Sequence, residues 1–521
     1  MRAVGTILVL VVLATVVATG ARRWRIPAPS LLVLAGLGVA LIPGTPALHI
    51  APQTIALVVL PPLLYASAEE LSMRDLRLVW RPVTVLALGL VLASAAAVGA
   101  LAIAVTGLPV PMAFVLGAVL ASTDPVAVTA LGRRLALPGR VQVLVQAESL
   151  FNDATSLVLF KVAVGVAVAG TAVDWPHAGG EFLLLAGGGS AVGAAVAAGV
   201  AVVRRRTADP VLETVIALVT PYSAYVLAEG VHTSGVTAVV VAGVVLGRSG
   251  HKLSDARIRL QLQAVYGVVV FLLESVVFAI VGLELPTLVR ELPGGTSWWP
   301  LQALAVAALL IALRILWMLP LTSVVKPVGG TASWRVAAVV TWAGTRGVMP
   351  LAAALSIPLV AADGSELPGR PLVLVLTTAV VVTTLVAQGL SLAPLVNRSG
   401  IALEPEHTAR EEARTRRRLA GVGLEHLDQL ADLDAAPTAA LEQARRALDA
   451  RLQHDQQEPG EQGQDTGGSV LAAYRQIRRE VIALQGGELR RLYEDHEISD
   501  TTRRHLQYDL DREESALAEG P

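Results

Sequence analysis

The sequence predicts an all-α membrane protein: thirteen transmembrane helices in two inverted repeats with broken helices, followed by a helical cytosolic tail. Three observations lead there. Of 521 residues, 54% are hydrophobic and only 16% charged, with the charges crowded toward the C-terminal end, a balance typical of membrane chains. Thirteen apolar runs are long enough to cross a hydrocarbon core of roughly 30 Å. Two of them are interrupted near their middles, at corresponding places, by helix-breaking residues beside a charge.

The runs lie near 3–20, 29–43, 50–68, 83–106, 111–131, 142–170, 182–203, 211–229, 234–247, 264–284, 301–325, 334–360 and 371–396. Arg22, Arg23 and Arg25 follow the first run, the reverse of the charge order in a cleavable signal, so it reads as a retained helix. Between runs, eighteen Lys and Arg residues fall on one side, from the Arg22 group through Arg74, Arg133, Arg204 and Arg248 to Arg335. The other side has three, Arg2, Arg290 and Arg370. Positive charge marks the cytoplasmic face. This split puts the N-terminus outside and the C-terminus in the cytoplasm of a multi-pass cell-membrane protein.

After residue 400 the composition turns polar, rich in Glu, Arg, Gln and Asp. The expected division is a transmembrane domain over 1–400 and a cytosolic tail over 401–521, with a flexible linker near 456–468. Leu471 to Leu484 and Thr502 to Leu517 carry apolar residues at helical spacing. The tail names no ligand and reads as a solvated extension.

Composition also excludes chemistry. Cysteine is absent, and the nine histidines show no pair at metal-ligand spacing, so no transition-metal site is expected. A nucleophile–base pair and a phosphate loop are missing too. The chain is read as a non-enzyme without cofactor or nucleic-acid partner, its surroundings being the lipid bilayer.

An ionisable side chain inside a span costs several kcal/mol unless paired or wet, so each is a functional candidate. They are Asp124, Glu148, Asp153, Lys161, Glu229, Glu274, Arg314 and Arg346. In the fifth run, Ser122-Thr123-Asp124-Pro125 breaks the helix, because Pro125 has no N–H and its ring crowds the carbonyl of Ala121. Asp124 then caps the second half-helix, with Pro125 at its first position. The twelfth run repeats the device with Gly344-Thr345-Arg346-Gly347-Val348-Met349-Pro350. Paired interruptions in corresponding helices point to a secondary transporter with its site at the repeat interface. Carbonyls freed at membrane depth suit a dehydrated cation.

The sixth run carries Glu148-Ser149-Leu150-Phe151-Asn152-Asp153. Ser149 and Asp153 share one helical face, and Glu148 and Asn152 share the next. Oxygen ligands alone suit Na⁺, with Asp153 as the metal ligand. The same carboxylate can take a proton. Competition for one site, combined with alternating access, is antiport. Lys161, two turns beyond, could snorkel, and Arg314 could neutralise Glu274 or Glu229; for Lys161, Glu229, Glu274 and Arg314 structural ion pairing is the expectation.

Thr123-Asp124-Pro125, the Glu148-to-Asp153 stretch, Gly344-Thr345-Arg346-Gly347 and Val386-Ala387-Gln388-Gly389-Leu390 occur in the order seen in the monovalent cation:proton antiporters, and the chain resembles their sodium/proton exchanger branch. The resemblance implies a homodimer whose core domain moves against a dimerisation domain. It implies that Asp153 binds cation or proton beside Asn152, Ser149, Thr123 and Asp124, and that Glu148 pairs with Arg346. The Asn152-Asp153 pair implies electroneutral exchange. One departure concerns the position after Pro61-Pro62-Leu63-Leu64-Tyr65, where some relatives carry an acid and this chain has Ala66. The role of that acid is not carried over to this chain, and the departure does not decide the cation. The expectation is Na⁺ or Li⁺, with a K⁺/H⁺ exchanger of the same fold as alternative, and a channel or a non-transporting sensor further off.

Overall fold

The computed structural model describes residues 11–21, 28–40, 52–71, 73–123, 139–170, 175–207, 209–253, 256–290, 292, 297–324, 333–399, 405–433, 437–454 and 468–519. Helices and the turns between them account for these residues, apart from one antiparallel bridge between Val360 and Glu366. Seven of the described helices are long and apolar enough to cross a membrane, and five shorter ones are also apolar. Contacts divide the chain into two compact units, Met1–Leu253 with Val265–Ala402, and Ser254–Ala264 with Leu403–Pro521.

The first unit begins with α1 (Val11–Ala21), α2 (Ala28–Ala40) and α3 (Pro52–Glu69). Next, α4 (Met73–Thr84) runs through a π segment (Val85–Leu90) into α5 (Val91–Thr106), followed by α6 (Val110–Ala121) and α7 (Gly139–Ala169). Then come α8 (Trp175–Arg204), α9 (Pro210–Gly230), α10 (Gly235–Leu253) and α11 (Ala256–Arg290), whose first residues count with the second unit. The series ends with α12 (Trp299–Val324), α13 (Ser333–Trp342), α14 (Val348–Leu355) and α15 (Arg370–Ser399).

Local chemistry sets many of these ends. Gly107, at φ 68°, stops α5 in the left-handed conformation that glycine adopts without strain. Asp209 caps α9, its carboxylate accepting from Val211 N at 2.7 Å and Leu212 N at 3.1 Å, with Pro210 at the first helical position. Where the apolar run was expected at 264–284, α11 is longer, because hydrogen bonding rather than apolarity limits a helix. The run expected at 111–131 is cut at Ala121, and that at 334–360 is two helices, α13 and α14.

Two bundles share this unit. In one, α5 and α6 touch so closely that a Cβ on Gly117 would lie 2.2 Å from Ala95 O, and α7 packs on α4 and α6 while α12 and α15 close the group around α13 and α14. In the other, α3, α8, α9 and α10 pack together, and a Cβ on Gly193 would lie 2.3 Å from Ala238 O. Small residues let backbones approach where apolar burial against lipid offers little driving force. Helix α7 belongs to the first bundle yet also touches α3, α8 and α10 of the second.

In the second unit the described residues include α16 (Pro405–Asp432), α17 (Thr438–His454), α18 (Gly468–Glu494) and α19 (Asp500–Glu519). Leu419, Ile482, Leu489, Leu492, Leu506 and Leu510 form one apolar core, and Leu427, Leu441, Leu448 and Val481 belong to another. Arg259, at the start of α11, grips Asp511 of α19 with two N–H groups, Nε at 2.9 Å from Oδ2. Most of the expected linker, residues 456–467, lies outside the described residues.

Candidate functional site

The two interruptions meet α7. Helix α6 ends at Ala121 because Ser122 turns extended, at φ −72° and ψ 152°. The carbonyls of its last turn thereby lose their helical donors. Side chains from elsewhere replace two of them: Ser156 Oγ donates to Ala118 O at 2.7 Å, and Arg346 Nε to Leu120 O at 3.1 Å. Just past the break, Thr123 Oγ1 accepts from Asn152 Nδ2 at 3.2 Å and donates to Glu148 Oε1 at 3.5 Å. Glu148, Asn152 and Ser156, four residues apart along α7, thus form a rail that holds both sides of the break. Asp124 and Pro125 lie outside the described residues.

The second interruption is the non-helical stretch Gly344–Gly347 between α13 and α14. Gly344 is needed there because a Cβ would lie 2.4 Å from Arg314 Nε. Pro350 is the third residue of α14, in the first turn, where its missing N–H breaks no helical bond. Arg346 turns back on the freed carbonyls, with one terminal N–H on Gly344 O at 2.6 Å, while its backbone N–H reaches Thr384 Oγ1 at 3.4 Å.

The expected pairing of Glu148 with Arg346 is corrected. Both terminal nitrogens of Arg314 reach the Glu148 carboxylate, at 2.6 and 2.8 Å, and one also reaches Val340 O at 3.1 Å. The partners are 3% and 0% exposed. Arg314 wins because α12 presents its planar fork parallel to the carboxylate, whereas Arg346 sits among orphaned carbonyls that need its donors. Glu148, rather than the expected Glu274 or Glu229, is thus the ion-pair partner of Arg314. Glu229 instead holds Lys161 at 2.8 Å, so both form an ion pair as expected, with a partner the sequence did not name.

Asp153 is 5% exposed, and Ser149, one turn earlier on the same face of α7, is buried as well. The Asn152 amide is oriented by its Nδ2 bond to Thr123, and among the described residues its Oδ1 has no donor. Asn152 and Thr123 thus meet just past the carbonyl end of α6, where the helix dipole also favours a cation, and Asp153 and Ser149 lie within a turn of Asn152 along α7. These are hard oxygen ligands suited to an alkali ion.

One buried pair was missed by sequence reasoning. Arg204, counted among the loop cations, ends α8 with its Nε 3.0 Å from Glu213 Oε2 of α9, at 2% and 0% exposure. An acid at the third position of the apolar run 211–229, just after a basic turn, was the available signal.

A family model described as sodium/hydrogen exchanger, transmembrane, matches residues 8–398, which include α7 and both interruptions. The chain is 34% identical to an uncharacterized Na⁺/H⁺ exchanger of Mycobacterium tuberculosis, over 98% of its own length and 96% of the relative's. It is 31% identical to the Na⁺/H⁺ antiporter ApNhaP of Aphanothece halophytica, over 72% and 70%. The structure of the sodium proton antiporter MjNhaP1 from Methanocaldococcus jannaschii has the same fold, with a TM-score of 0.63 at 20% identity, covering 77% of this chain and 99% of that one. Helix breaks, buried α7 carboxylates and the extent of these matches agree: the chain belongs to the transmembrane sodium/hydrogen exchanger family, and is a transporter rather than an enzyme.

Proposed function

We propose that the protein exchanges Na⁺ for H⁺, one for one, by alternating access, with Asp153 carrying either ion. The observation that carries this reading is the burial of Asp153 on α7, one residue after Asn152, whose amide is oriented by Thr123 just past the carbonyl end of α6. In one half-cycle the carboxylate is neutralised by a proton, in the other by the cation. Ser149, Thr123, Asn152 and Asp124 supply the remaining oxygens or shape the field. Glu148 is bound to Arg314 and so does not take part. Asn152 has an amide that carries no second proton, which makes the exchange electroneutral. The working assembly is a homodimer in the cell membrane, N-terminus outside and C-terminal unit in the cytoplasm, serving pH and sodium homeostasis.

The test follows a pH-sensitive dye in everted vesicles on addition of Na⁺, Li⁺ or K⁺. Wild type dissipates the proton gradient with Na⁺ and Li⁺, and Asp153→Asn with neither. A wild type silent to all three cations ends the antiport reading. Equal responses to Na⁺ and K⁺ keep the mechanism and replace the substrate.

A further inference from the structure

We infer that the Lys161–Glu229 ion pair is a clasp between the ion-carrying helix and the opposing bundle, and that it opens in every transport cycle; the inference rests on the alternating-access reading above. Lys161 lies eight residues after Asp153 on α7, about 12 Å along one continuous helix. Whatever moves Asp153 therefore moves Lys161.

The other end of the clasp belongs to the second bundle. The Lys161 ammonium donates to Glu229 Oε1 at 2.9 Å, to Oε2 at 2.8 Å and to Thr233 O at 3.1 Å. All of its acceptors sit at the α9–α10 turn. That turn is itself held in place. Gly235 N donates to Glu229 Oε1 at 3.1 Å, Thr233 N to Ala228 O at 2.9 Å, and Ser234 N to Leu185 O of α8 at 3.2 Å. Apolar surfaces slide past one another at little cost, but a three-bond ammonium contact has to break. Movement of α7 past the second bundle requires that break.

Magnitudes separate this pair from the buried one. Glu148 and Arg314 lie within the first bundle, so that pair travels intact, and at 0% and 3% exposure it opens only by stranding two dry charges. Lys161 and Glu229 are 38% and 36% exposed. Glu229 is the penultimate residue of α9, at the end of a span where water is at hand to solvate the parting charges, and pairs this exposed contribute little net free energy. A contact that is directional when closed and cheap to open has the properties of a cycling clasp.

The chain contains no cysteine, so Lys161→Cys/Glu229→Cys introduces its sole two thiols. In vesicles this double variant keeps Na⁺-dependent proton flux within about fivefold of wild type, since a half-exposed pair is weak. Bridging the thiols with a short bis-methanethiosulfonate, scored by intact mass, cuts the flux by more than about tenfold, and dithiothreitol restores it. A monofunctional methanethiosulfonate does not reproduce the block. Undiminished flux in fully bridged protein overturns the clasp. Should the cysteine pair fail to fold, charge reversal decides: Lys161→Glu and Glu229→Lys each slow exchange, and the double reversal recovers it. A double reversal no faster than either single overturns the clasp too. Failure of the antiport reading is separately visible, because wild type then responds to no cation before any reagent is added.

Discussion

One ion pair of the membrane unit and one of the C-terminal unit use the same chemistry to opposite effect. Glu148 and Arg314 come from helices 166 residues apart in sequence and are almost wholly excluded from solvent. Arg446 and Glu442, by contrast, are one turn apart on α17 at 77% and 66% exposure. Water has already solvated the second pair, which adds little. In the first, each charge makes the other tolerable. Burial, rather than the number of ion pairs, decides which charges the fold depends on.

Breaking the pairs one side at a time tests that contrast. Glu148→Gln leaves the Arg314 guanidinium buried without its anion and destabilises the protein by about 3–5 kcal/mol. Detergent-solubilised protein then unfolds at a clearly lower temperature, while Arg446→Ala leaves the midpoint unchanged. Equal shifts for the two would contradict the comparison. A double variant, Glu148→Gln with Arg314→Gln, recovers part of the loss, because no unpaired charge remains.

A smaller effect is expected where the interaction is a hydrogen bond. Ser156→Ala removes the donor to Ala118 O and costs about 1 kcal/mol. Because that bond holds the carbonyl end of α6 against α7, the loss appears as a several-fold higher apparent KM for Na⁺ with little change in maximal rate. Ser156→Thr keeps the hydroxyl and the KM. A fall in maximal rate with KM unchanged would make Ser156 merely structural.

The smallest effect belongs to the C-terminal unit. Burial alone would raise the Asp500 carboxyl, but the charges of Arg504 and Arg503, and their hydrogen bonds to it, hold it below the ordinary value of 3.8. A group depressed in the folded state stabilises above its unfolded pKa and loses that contribution as pH falls through the folded one. Limited proteolysis of the full chain should therefore show α19 more readily cut below about pH 3.8, and Asp500→Asn should flatten that dependence.

Local sequence carried more of the fold than of the pairing. The break at Gly344–Gly347 and the polar face of α7 were legible, because glycine, proline and four-residue spacing act within a few residues of themselves. The break that ends α6 at Ala121 was legible too, from Ser122-Thr123-Asp124-Pro125, although the apolar run itself reads on to 131. Pairing was different. Arg346 and Arg314 were both buried cations within apolar runs, and nothing in their neighbours marked which one faced Glu148. The partner of Lys161 was hidden for the same reason, as its acceptors lie at residues 229 and 233.

By itself, the sequence determined that this is a helical membrane chain, where two of its helices are interrupted, and which oxygen-bearing side chains share a face of α7. Those properties follow from apolar run length and backbone geometry, which are local. Only the tertiary structure decided that Arg314 neutralises Glu148, that Arg346 and Ser156 satisfy the open end of α6, and that Lys161 reaches across to Glu229. Charge and hydrogen-bond partners are selected by distance in space, and helices distant in sequence acquire that distance only when they pack.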